Sequence, residues 1–154
     1  MNIFATYQCP IKSAKFLDTK RVNKMILESA QMLSTAINEC GGQAPYKSTH
    51  RNHPSNVWAR ETVGNYLWLL DHMEALAQEY YRRRGKWHKS YREHFQDFFA
   101  NAVLLPQGAM TDFANCARNK QQGVDYTDVK DVHKAYRLYL RERWSKDKLK
   151  PVWG

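Results

Sequence analysis

Residues 20–38 read KRVNKMILESAQMLSTAIN. Apolar or small side chains recur at Val22, Met25, Ile26, Ser29, Leu33, Ala36 and Ile37, the i, i+3, i+4, i+7 spacing of a helix with one buried stripe. Cys40-Gly41-Gly42 follows, and glycine suits a left-handed helix termination. Downstream, Pro54 suits the first turn of a new helix. From Ser55 to Arg84 the residues Trp58, Ala59, Val63, Tyr66, Leu69, Leu70, Met73, Leu76, Ala77 and Tyr80 keep one 3.6-residue period, which predicts a single long central helix stopped by Gly85. Upstream, residues 2–9 suit a short extended segment, and Pro10 opens a helical pattern over Ile11–Leu17. Further helices are expected over Lys89–Ala100, Ala109–Asn119 and Asp128–Ser145, with a turn at 120–127. These elements predict an all-α fold, a single compact domain over 1–154.

The chain has 154 residues, 43% hydrophobic and 25% charged, so it can bury a core without staples. No apolar run is long enough for a membrane span. The N-terminus lacks the apolar stretch of a secretory signal, so a cytoplasmic location is expected. Cys9, Cys40 and Cys116 are odd in number and far apart, which suits a reducing compartment and argues against a disulfide framework or a zinc knuckle. No phosphate-loop, dinucleotide, zinc-protease or serine-hydrolase motif is present. No metal or cofactor is expected. Twenty-four Lys and Arg against fifteen Asp and Glu leave a formal charge of +9, which points to a polyanionic partner.

The polar residues form rows. On the first long helix Lys20, Lys24, Glu28, Gln31 and Thr35 fall in line, flanked by Leu27 and Met32. That pattern fits either a solvated face or a cleft wall, and in a cleft Glu28 beside Lys24 is an acid–base candidate. Lys24 is the alternative amine nucleophile if burial lowers its basicity. Across the central helix Glu61, Asn65, Trp68 and His72 make a second row. Trp68 there either packs under another helix or stacks on a base. The loop Thr49-His50-Arg51-Asn52-His53-Pro54, with Arg60 a turn and a half further on, surrounds a helix N-terminus that favours an anion, although Asn52 could simply cap the helix. Lys86 and His88 lie in an aromatic-basic stretch running from Tyr80 to Arg92. Lys130, Lys134, Arg137 and Arg141 make a cationic row suited to a nucleic-acid backbone, or to solubility alone.

Several segments resemble a small helical protein family of tailed bacteriophages: residues 20–33, residues 49–60, Gly85-Lys86-Trp87-His88-Lys89 and Ala135-Tyr136-Arg137-Leu138-Tyr139. That resemblance implies a host-cytoplasmic protein. A second likeness, carried by the basic all-α chain and by an early helix with Arg21 and Glu28, is to the phage pyrimidine-dimer DNA glycosylases. It implies that the N-terminal amine forms a Schiff base with a DNA sugar, assisted by a glutamate on the early helix. In that family a small second residue allows removal of the initiator methionine. Asn2 predicts that Met1 stays, and Glu28 lies about a turn and a half beyond the expected glutamate position. The expected partner is DNA, handled by a glycosylase/lyase or base-modifying enzyme with Arg21, Gln31 and Trp68 near the substrate. The alternative is a non-catalytic binder of nucleic acid or of a nucleotide signal in phage counter-defence.

Overall fold

The computed structural model describes all 154 residues. In chain order its elements are α1 (Pro10–Phe16), α2 (Thr19–Glu39), α3 (Pro54–Glu61), α4 (Val63–Arg84), α5 (Lys89–Ala100), a 3₁₀ turn (Asn101–Leu104), β1 (Arg118–Asn119), β2 (Val124–Asp125) and α6 (Val132–Lys146). The two strands form one antiparallel pair, Arg118 opposite Asp125 and Asn119 opposite Val124. The rest of the secondary structure is helical.

The buried stripe of α2 is the expected one. Val22, Met25, Ile26, Leu33 and Ile37 join Leu69, Leu70, Met73 and Leu76 of α4 in one hydrophobic cluster. Tyr136, Tyr139 and Leu140 of α6 extend it. Ile3, Phe4 and Ala5 are part of the same cluster, so the chain begins at the edge of the core. At the far end, α4 stops at Gly85, whose φ of 75° is the left-handed conformation that glycine adopts without steric cost.

The expected long helix over Ser55–Arg84 is in fact two. Thr62 is extended between α3 and α4, and its hydroxyl caps α4 by accepting from the Asn65 N–H. The freed donors are taken by a neighbouring stretch of chain, with Val63 N–H on the Pro106 carbonyl and Gly64 N–H on the Gly108 carbonyl. Gly64 permits this approach, because a Cβ there would lie 2.6 Å from the Met110 backbone nitrogen. The apolar period runs unbroken across Thr62, so periodicity cannot show the break.

The helix expected over Ala109–Asn119 is absent. That stretch is irregular until β1, and other elements' side chains occupy its backbone groups. Asn65 Oδ1 accepts from Thr111 N–H, and the Tyr136 hydroxyl both accepts from Cys116 N–H and donates to the Ala114 carbonyl. The last helix starts at Val132 instead of Asp128, because Asp131 caps it by accepting from His133 and Lys134 N–H.

Candidate active site at the N-terminal amine

Asn2 folds the first residues back on themselves. Its Oδ1 accepts from Ile3 N–H at 2.7 Å and Phe4 N–H at 3.1 Å, while its Nδ2 donates to the Cys116 carbonyl at 3.1 Å. Phe4 sits at a φ of 55°, a turn conformation uncommon outside glycine, asparagine and aspartate. Next along the chain, the carbonyls of Ala5, Thr6, Gln8 and Pro10 are held from two sides. From α6, His133 Nδ1 donates to Ala5 and Arg137 to Thr6. From α4, the Trp68 indole donates to Gln8 and His72 Nδ1 to Pro10.

That clamp aims the Met1 amine at α2. The amine nitrogen lies 3.4 Å from Glu28 Oε1, with the Met1 side chain 4% and the Glu28 side chain 13% exposed. Lys24 Nζ approaches the other carboxylate oxygen at 3.7 Å, but its side chain is 69% exposed. Around this triad is a cleft of about 200 Å³, closed by Asn2 and Phe4, by Met25 of α2, by Arg118 and Asn119 of the hairpin and by Tyr139 and Arg143 of α6. Three cationic side chains, Lys24, Arg118 and Arg143, therefore border one carboxylate and one primary amine. Arg143 is steadied by donating to the Tyr139 hydroxyl at 2.7 Å.

The loop ahead of α3 reaches the same neighbourhood. Thr35, the last residue of the α2 polar row, is buried and ties the loop down, accepting from Thr49 N–H at 3.1 Å. His53 caps α3, its Nδ1 accepting from Ser55 N–H. Burial first, then the positive Met1 amine and His50, push the His53 imidazole below its ordinary range, with Glu28 opposing. His53 is thus close enough to the amine to feel its charge, and its neutral form is favoured. His50 and Asn52 are exposed, and His53 fills the capping role considered for Asn52.

Other expected site residues lie elsewhere, each for a visible reason. Trp68 is buried, stacked on His72 and edge-on to Trp58 and Phe113, so it presents no face to a base. His72 is enclosed, and burial pushes its imidazole down to about 4. Arg21 is buried between Asp18 at 3.2 Å and Asp147 at 3.0 Å, where it ties α2 to the end of α6. Arg60 acts with its charge on the Cys40 thiol at the other end of α2, and Glu61 is exposed at the close of α3. The Glu61–His72 row therefore does not face the α2 row across a common hollow.

Lys86 and His88 belong to the α4–α5 connection, where His88 caps α5. The α6 row is also divided. Lys130 precedes the helix, Lys134 is exposed, and Arg137 and Arg141 lie over the rings of Tyr7 and Phe16. The face of α6 that meets the cleft carries Tyr139 and Arg143 instead. Gln31 is half-buried one turn beyond Glu28.

Sequence reasoning did not single out Asn2, Arg118, Tyr139 or Arg143 as site residues. Asn2 followed by an apolar stretch carries a weak turn signal. The other three are placed by tertiary packing alone.

A mostly helical protein with a charged amine–carboxylate cleft is thus defined. The sequence model of the pyrimidine dimer DNA glycosylase family matches residues 1–94. The chain belongs to that family, and its function is DNA-glycosylase-like at that level. No curated protein and no solved structure matches it. Met1, Lys24, Glu28 and His53 fall within the matched span, whereas the hairpin and α6 side of the cleft lies beyond it. No helix is long and apolar enough to cross a membrane.

Proposed function

We propose that the chain is a DNA glycosylase with lyase activity on pyrimidine lesions, and that the α-amine of Met1 is its nucleophile. The observation that carries this reading is the 3.4 Å approach of that amine to Glu28 inside a cation-bordered cleft. Two amines touch Glu28. An α-amine is intrinsically less basic than a lysine side chain, so more of it is free base near neutral pH. Lys24 is also largely exposed.

The amine lone pair bonds to C1′ of the damaged nucleotide as the C1′–base bond breaks, and the base leaves with that electron pair and gains a proton. The bound amine gives up one proton to a base, and its lone pair then expels O4′, which leaves with the C1′–O4′ electron pair and takes up a proton, so that the sugar ring opens and a protonated imine remains at C1′. Glu28, as carboxylate, stabilises the cationic form of that imine and is placed to accept a proton. Loss of a C2′ proton then breaks the C3′–O bond and releases the 3′ strand. Lys24, Arg118 and Arg143 supply charge for the flanking phosphates.

The test is incision of ultraviolet-irradiated and abasic duplexes, with borohydride trapping of the imine. Wild type should cut and become covalently trapped. Glu28→Gln should retain the fold and lose about 10²–10⁴ in rate, the usual range for an acid–base group. Absence of both adduct and incision from the wild type overturns the reading.

A further inference from the structure

The α4–α5 connection carries an aromatic ladder that the cleft does not use. Tyr81 stacks on Trp87 at 4.7 Å, Trp87 on Tyr91 at 5.4 Å, and Tyr91 leans on Phe95 at 5.0 Å. The position of Gly85 lets Trp87 fold back onto the end of α4, and residues 87, 91 and 95 then share one face at i, i+4, i+8. The ladder is open to solvent, Tyr81 being 46% and Trp87 41% exposed. Beside it runs a cleft of about 230 Å³ lined by Trp87, Tyr91, Arg92, Phe95 and Gln96.

Cations dominate the charge around the ladder, with Glu74 of α4 the carboxylate that acts on the Tyr91 hydroxyl. Arg82 and Arg83 are paired with Glu79. Arg84, Lys86, Lys89 and Arg92 are exposed and make no ion pair. Of the two acidic residues on α5, Glu93 approaches His94, and Asp97 does not line the cleft. A protein partner of ordinary composition would cover the rings but leave the four unpaired cations without counter-charge. A polyanion whose repeating unit is planar and aromatic matches both features. Bases in a duplex hide their faces against one another, so the occupant is an unpaired one.

We propose that this face binds single-stranded DNA. A base lies against the exposed ring of Trp87 with Gln96 at its edge, and flanking phosphates meet Arg92, Lys89 and Lys86. No residue lining this cleft lines the Met1–Glu28 cleft, so the two contacts are separable. The site stands whether or not the chain incises DNA.

The experiment is fluorescence anisotropy of a short fluorescein-labelled oligothymidylate titrated at two salt concentrations. Wild type, Trp87→Ala, Arg84→Glu/Arg92→Glu and Glu28→Gln are compared, each checked for fold by circular dichroism. Trp87→Ala should weaken binding about tenfold or more, as loss of one stacked base does. The double charge reversal, which touches only exposed side chains, should weaken it further and flatten the salt dependence. Glu28→Gln should bind like wild type. The proposal is overturned by failure of the wild type to bind at low salt, by unchanged affinity in the charge reversal, or by loss of affinity in Glu28→Gln.

Discussion

Replacing Asn2 with leucine removes the device that aims the amine while keeping a bulky second residue, so Met1 should stay in place. Three hydrogen bonds go with it, to Ile3 N–H, Phe4 N–H and the Cys116 carbonyl. At about 0.5–1.5 kcal/mol each they represent about 1.5–4.5 kcal/mol. The global cost should fall at the low end, because the group is only part-buried and the terminus can open locally. Activity should suffer more than stability. A reacting group misplaced by about 1 Å can cost about 10² in rate, and the amine would no longer be held against Glu28. Single-turnover incision of an abasic duplex should therefore slow about a hundredfold with little change in substrate affinity. Asn2→Asp keeps both acceptor bonds and loses only the donor to Cys116, so it should fall between leucine and wild type. Wild-type incision rates in Asn2→Leu, with Met1 confirmed by intact mass, would refute the reasoning.

Other substitutions separate packing from chemistry. Trp68→Ala should destabilise the fold by about 3–5 kcal/mol in a denaturant melt, the range for removing a buried aromatic, since the ring is enclosed and its indole also holds the Gln8 carbonyl. Gly64→Ala should cost about 1–3 kcal/mol, because its Cβ would meet backbone atoms of Ala109 and Met110 at 2.8 and 2.6 Å, and chemical denaturation reads it directly. His72, pushed down to about 4 by burial, makes stability pH-dependent. Above about pH 6.5 both folded and unfolded states hold it neutral and its contribution is complete. As pH falls from there towards 4 the unfolded chain takes up the proton first, and about 3 kcal/mol is lost. His72→Leu should flatten that part of a stability–pH curve, and an unchanged slope would contradict the assignment.

The parts of the fold that local rules govern were legible. The α2 stripe, the Gly85 stop and the Lys89–Ala100 helix follow from periodicity and backbone freedom, and the structure shows all three. The α3–α4 break was not, because the cause is the distant stretch Pro106–Gly108 docking on Val63 and Gly64. The same holds for residues 109–119, whose short apolar and small side chains suit a helix until Asn65 and Tyr136 claim their backbone groups.

Glu28 stands out as the carboxylate of a mixed row, and its meeting with Met1 depends on a turn that only Asn2 signals. The glycosylase resemblance expected the glutamate about a turn and a half before Glu28. In the fold, the N-terminal segment runs back to meet it. Trp68 and His72 stand out on the polar row of the central helix, and Arg137 in the cationic row of the last one. Their partners are the carbonyls of Gln8, Pro10 and Thr6, so they hold the segment that carries the amine.

Peptide mapping of the borohydride-reduced DNA complex tests the central claim most directly. A mass increment of the sugar remnant on the α-nitrogen of Met1 is the predicted result. The same increment on Lys24, or on any other residue, would contradict it.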